Sequence, residues 1–240
     1  MQYKMKKSYF LLFLALPWSY QLLLAQEQNK YGYPLAVVSD VKAYTQQVQA
    51  DSNKALVEIK QVIPSIVLDV RYATTNNFLG KVFYPQAKAF ARLPVVQALQ
   101  KIQQELNAQG LWIKIYDSYR PYAITVQFYQ SYPDSTYVAS PWTGSKHNRG
   151  CALDLTLVQL KSGKELKMPT PYDTTEETSW ADAPVKNKKA LRNRELLKAV
   201  MTKYGFTVEP SEWWHYNFVG WQNYELMDIS FEVLSEGGVR

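Results

Sequence analysis

Ser145-Lys146-His147-Asn148-Arg149-Gly150-Cys151-Ala152-Leu153-Asp154 carries one of the two histidines of this 240-residue chain. Glu212-Trp213-Trp214-His215-Tyr216 carries the other. A zinc site that performs chemistry usually takes three protein ligands and leaves one position open. His147, Asp154 and His215 supply two imidazoles and one carboxylate, which meets that count, and Glu212 is left over as a base beside the metal. A chain that spends its two histidines on these stretches makes scattered structural roles a poor explanation for them.

The local sequence says how such a group would assemble. Gly150 permits a tight bend between a loop that holds His147 and a strand that holds Asp154. Strand alternation puts Ala152 and Asp154 on one face and Cys151, Leu153 and Leu155 on the other. Taken alone, a surface histidine and a helix-capping aspartate would be simpler readings. An aspartate inside Leu153-Asp154-Leu155, however, is costly unless it is paired or bound to metal. Residues three apart in a regular strand face opposite ways, so Glu212 is expected at a bend before the strand of His215, at Pro210-Ser211. Arg120 lies in Asp117-Ser118-Tyr119-Arg120-Pro121, held extended by the following proline. Its guanidinium can meet a developing oxyanion or serve as a structural ion pair with Asp117.

Around these stretches the chain reads as α+β, a single domain with a mixed sheet flanked by helices. Short strands are expected at Leu56–Ile59 and Ile66–Val70, a helix from Pro94 to Ala108, and a strand at Trp112–Tyr116. A helix from Tyr122 to Tyr129, a strand at Ala152–Leu157 and a helix from Lys189 to Tyr204 follow. Strands at Phe206–Val208 and Trp213–Phe218 close the set. Residues 161–186 form a long polar connection of the kind that often covers a site.

The hydrophobic fraction of 47% is that of an ordinary globular protein. Lys4, Lys6 and Lys7 precede the apolar run Phe10–Leu16, and Leu22-Leu23-Leu24-Ala25 ends on a small residue. Residues 1–25 therefore read as a signal peptide, for export to the periplasm without a lasting membrane anchor. Residues 26–55 read as an N-terminal extension with a helix at Val41–Gln49, and residues 56–240 as the functional domain. Loss of three lysines and no acid would bring the net charge of +6 down to +3, with no dense basic block to suggest a nucleic-acid partner. Cys151 is the single cysteine, so no internal disulfide is available.

The ordered set Asp69-Val70-Arg71-Tyr72-Ala73-Thr74, Tyr119-Arg120-Pro121, Ser145 to Gly150, Ala152 to Leu157 and Glu212 to Tyr216 resembles the zinc D-Ala-D-Ala peptidases related to the hedgehog fold. Within that group it is similar to the VanX-type D-alanyl-D-alanine dipeptidases, over about residues 56–220. The resemblance implies a mainly antiparallel mixed sheet and one Zn2+ per chain on His147, Asp154 and His215. It implies Glu212 as general base and acid, Arg120 as transition-state stabiliser, Tyr72 and Asp173 for a substrate ammonium, and Ser145 for its carboxylate. The expected substrate is a small D,D-dipeptide of cell-wall metabolism. The exported form and the extension depart from the compact cytoplasmic members. Competing readings are a D,D- or L,D-carboxypeptidase acting on muropeptides, a non-catalytic zinc module, and a Cys151–His147 thiol hydrolase. Glu212 and Arg120 argue against the zinc module, and alternation turns the thiol away from the site.

Overall fold

The computed structural model describes residues 28–236, so the expected signal peptide lies outside the described residues. The elements in chain order are β1 (Val37–Val38), α1 (Val41–Ala50), β2 (Leu56–Glu58), α2 (Ile59–Val62), β3 (Val67–Leu68), β4 (Phe90–Arg92), α3 (Leu93–Asn107) and β5 (Leu111–Asp117). They continue as α4 (Tyr122–Ser131), β6 (Ala152–Gln159), α5 (Lys188–Lys203), β7 (Phe206–Glu209), β8 (Glu212–Phe218), β9 (Leu226–Met227) and α6 (Phe231–Ser235). Among the described residues no helix is long and apolar enough to cross a membrane.

The central sheet has the order β3-β5-β6-β8-β7. Only β3 and β5 pair in parallel; the other neighbours are antiparallel. The expected mixed, mainly antiparallel sheet is therefore present. Two small ribbons flank it, β2 against β4 and β1 against β9.

The helices form where periodicity places them. Pro94 sits in the first turn of α3, where a missing N–H costs nothing. Val95, Val96, Leu99, Ile102 and Leu106 then bury one stripe. Asn187 caps α5 by accepting from the N–H groups of Lys189 and Ala190. Both helices join one large core with Cys151, Leu153, Leu155 and Leu157 of the β6 side. Asp154 and Thr156 are buried on the alternate face. Strand alternation thus gives β6 one apolar face for the core and one polar face for the site.

A second core joins α1, α4, β9 and α6 through Tyr44, Phe128, Met227 and Phe231. The segment read as an extension takes part in it: Tyr44 is buried, and its hydroxyl accepts from the Leu56 N–H at 2.7 Å.

Candidate metal centre and pocket

Sheet register assembles the site. Asp117 of β5 pairs with Asp154 of β6, and Asp154 pairs with His215 of β8. The three residues form one row across the sheet. A one-residue bulge at Tyr116 brings Asp117 into that row. His147 arrives from the adjoining loop, on a short turn that ends at Gly150 with φ 68°. A Cβ at Gly150 would lie 2.5 Å from a Leu56 methyl, so glycine is required by both conformation and space.

Glu212 corrects the expected bend. It is the first residue of β8 rather than a residue before it, and it pairs with Glu209. The next β7–β8 pair is Val208 with Tyr216, so Trp213, Trp214 and His215 bulge out against β7. That bulge breaks the alternation and brings the Glu212 Oε2 within 3.5 Å of the His215 Nδ1.

The hydrogen bonds around the two imidazoles fix which nitrogens carry protons. His147 Nδ1 lies 2.7 Å from the carbonyl of Ser118, which can only accept, so Nδ1 holds the hydrogen. Asn217 Nδ2 donates to Glu209 at 2.9 Å, which turns Asn217 Oδ1 toward His215. His215 Nε2 is 2.7 Å from that oxygen and must be the donor. Lys146 pairs with the same Glu209 oxygen at 2.7 Å and anchors the far end of this chain. The lone pairs of His147 Nε2 and His215 Nδ1 therefore face each other across 3.2 Å. Asp154 Oδ1 lies 3.4 and 3.1 Å from them and is buried without a hydrogen-bond partner.

Three electron-pair donors, within 4.8 Å of one another and with no donor between them, fit a cation. Two neutral imidazoles and a carboxylate with one side open suit zinc. In the metal-free protein a proton takes the cation's place. Burial opposes charge on His215, but the Asp154 carboxylate wins and raises it to about 9. Burial likewise opposes charge on Asp154, yet the facing imidazoles hold its carboxyl well below the usual range.

The other oxygen of Asp154 accepts from the Tyr172 hydroxyl at 3.0 Å. Tyr172 was not foreseen as part of the site. It stacks on Tyr116 with ring centroids 4.4 Å apart, and it precedes Asp173 in the long connection. Ser118 and Asn217, which orient the ligands, were likewise unmarked. Asn217 is two residues beyond His215 in the same strand, and that spacing was the available signal.

A cavity of about 450 Å³ opens on this group, well within the range of small-molecule sites. Every site residue expected from the sequence lines it: Tyr72, Arg120, Ser145, His147, Asp154, Asp173, Glu212 and His215. Arg120 forms the expected ion pair with Asp117 and also lines the cavity. Its Nε and Nη2 donate to Asp117 Oδ2 at 3.1 and 2.6 Å, and the guanidinium lies over the Phe128 ring at 4.6 Å and the Tyr72 ring at 5.4 Å. The ion pair aims the cation into the cavity.

Asp173 also lines the cavity, with φ 62°, the one non-glycine residue with positive φ among the described residues. A strained aspartate at a cavity wall marks a constrained site. The Tyr72 hydroxyl donates to its carboxylate at 3.1 Å. Burial, reinforced by the charges of Asp154 and Glu212, pushes Asp173 up to about 8. Burial also pushes Glu212 up to about 7; His215 opposes this shift, and Asp154 and Glu209 add to it. Ser145 Oγ accepts from the His147 N–H at 3.2 Å, which ties the cavity wall to a ligand. Cys151 is buried in the core, and burial pushes its thiol up to about 12, which removes the thiol-hydrolase reading.

The chain is similar to several known proteins. A D-alanyl-D-alanine dipeptidase of Escherichia coli is 35% identical over 185 residues, covering 77% of this chain and 95% of that protein. One from Enterococcus faecium is 29% identical, covering 66% of this chain and 88% of that protein. A solved structure of VanYB in complex with D-alanine-D-alanine is 14% identical with a TM-score of 0.37, covering 65% of this chain and 82% of that one. The family model described as D-Ala-D-Ala dipeptidase matches residues 52–233, and the chain belongs to that peptidase family.

Proposed function

We propose that this protein hydrolyses free D-alanyl-D-alanine to D-alanine. The observation that carries the reading is the presence in one small cavity of a three-donor metal group, Glu212, Arg120 and Asp173. His147, Asp154 and His215 would hold zinc, which when bound would supply Lewis acidity near neutral pH. Glu212 takes the proton of the attacking water and returns it to the leaving amine. Arg120, fixed by Asp117 and two aromatic rings, meets the oxyanion that develops on the scissile carbonyl.

Asp173 and Tyr72 would take the substrate ammonium, and an incoming cation would offset the cost of holding Asp173 charged. Ser145, which also lines the cavity, would take the carboxylate. A site that reads both termini accepts dipeptides and rejects longer chains, which disfavours the carboxypeptidase reading.

The reading extends to an exported protein, on the strength of the basic, apolar and small-residue pattern of residues 1–25. N-terminal sequencing from the native host should start near Gln26; an intact Met1 in a soluble cytoplasmic fraction would reject export. For the activity, mass spectrometry should follow products from D,D-, L,D- and L,L-dipeptides and short muropeptides. D-alanine released from D-Ala-D-Ala alone supports the proposal, and D-alanine released from muropeptides at a comparable rate rejects it.

A further inference from the structure

We propose that the segment ahead of the family match, residues 29–38, is a brace that sets one wall of the substrate cavity, with Tyr31 and Tyr33 as positioning residues. The segment lies ahead of residues 52–233, which the family model matches. Residues Ser135 to Ala139 and Thr143 to Lys146 line one side of the cavity. Three contacts tie that wall to the segment.

The first contact is aromatic. The Tyr33 ring meets the Trp142 ring edge-on at 4.9 Å, and Tyr129 of α4 meets the same tryptophan at 5.5 Å. Trp142 is 52% exposed, and these two rings pack against it. The second runs through Tyr31. Its ring lies 5.7 Å from Tyr122, whose hydroxyl donates to the Pro141 carbonyl in the wall. The Tyr31 hydroxyl donates to Asp228 at 2.6 Å, and Asp228 also accepts from the Ala123 N–H at 2.8 Å and pairs with Lys30 at 2.8 Å. The third is the ribbon. Val37 and Val38 pair with Leu226 and Met227, and the Asp228 N–H donates to the Val38 carbonyl at 2.8 Å. Leu226 in turn is the seat of Gly144, where a Cβ would lie 2.7 Å from a leucine methyl at a φ of 70°. Gly144 precedes Ser145, whose hydroxyl accepts from the His147 N–H.

The wall between Pro133 and Lys146 is otherwise a run of turns without a regular element. Such a segment takes its position from what it packs against. Without Tyr31 and Tyr33, the wall loses its outer contacts while the sheet that carries the metal group is untouched. The consequence is weaker ground-state binding of the dipeptide with little change in the chemical step.

The activity part of this inference rests on the D-Ala-D-Ala reading; the structural part does not. The test uses the full mature chain loaded with zinc, as wild type, Tyr31→Ala/Tyr33→Ala and Tyr33→Phe. Hydrogen exchange is followed by mass spectrometry, with steady-state kinetics on D-Ala-D-Ala. In the double variant, amides of residues 133–146 should exchange faster, those of β6 should not, and zinc should remain stoichiometric. KM should rise about two- to tenfold, the range that loss of an aromatic contact spans, with kcat within about twofold. Tyr33→Phe keeps the ring and should match wild type. Unchanged exchange in 133–146 would overturn the brace, and so would equal acceleration in β6, which reports general loosening. If wild type fails to cleave D-Ala-D-Ala, the functional reading falls while the exchange comparison still decides the brace.

Discussion

Replacing Asp117 by asparagine tests the claim that a buried ion pair aims Arg120. Asp117 Oδ2 receives both guanidinium hydrogen bonds, and Oδ1 accepts from the Tyr84 hydroxyl at 2.8 Å and the Ser118 N–H at 2.9 Å. The two side chains are 1% and 8% exposed, so water cannot replace the lost charge. Asparagine keeps the shape and one acceptor oxygen but leaves the guanidinium uncompensated. Breaking such a pair from one side costs about 3–5 kcal/mol. Against a total stability of about 5–15 kcal/mol the loss is large. For a protein of this size it lowers Tm by roughly 6–20 °C at about 2–4 °C per kcal/mol. Urea unfolding of zinc-loaded protein measures it. The double variant Asp117→Asn/Arg120→Met removes both charges and should recover part of the stability. A single variant within about 1 kcal/mol of wild type, or a double variant no more stable than the single, would refute the reasoning.

Glu212→Ala should keep stoichiometric zinc and lose about 10²- to 10⁴-fold in kcat, as measured by elemental analysis beside turnover. Tyr172→Phe keeps the ring stacked on Tyr116 but removes the hydroxyl from Asp154; zinc affinity should fall about 10- to 100-fold in a competition titration with a chelator. Proton release gives the pH signature. His215 is raised to about 9 in the metal-free protein, so it is protonated at pH 7 and must give up that proton to ligate. Zinc binding at pH 7 should release about one proton, and the release should vanish as pH rises through 9. Calorimetry in buffers of different ionisation enthalpy reads this, and zero release at pH 7 would contradict a protonated His215 in the metal-free protein.

The sequence carried the parts that alternation and residue chemistry control. Asp154 between two leucines required a partner, and Gly150 required a bend; both hold in the structure. The helices α3 and α5 follow from their apolar stripes and terminal signals. What remained hidden depends on register between strands. No local pattern says that Asp117, Asp154 and His215 share a row, because pairing is set by long-range packing. Glu212 was expected at a bend because a bulge of three residues in β8 has no sequence signature comparable to a glycine turn. Tyr172 escaped notice because its role is a hydroxyl placed by a long loop.

The central claim is that the cavity reads a free ammonium at one end of a dipeptide. The measurement is the ratio of kcat/KM for D-Ala-D-Ala to that for its N-acetyl form, in wild type and in Asp173→Ala. A hydrogen bond to a charged group is worth about 1.5–3 kcal/mol, so wild type should favour the free amine by about 10- to 150-fold. Asp173→Ala should raise KM for the dipeptide and narrow the ratio. A wild-type ratio near one would contradict the account and favour a carboxypeptidase.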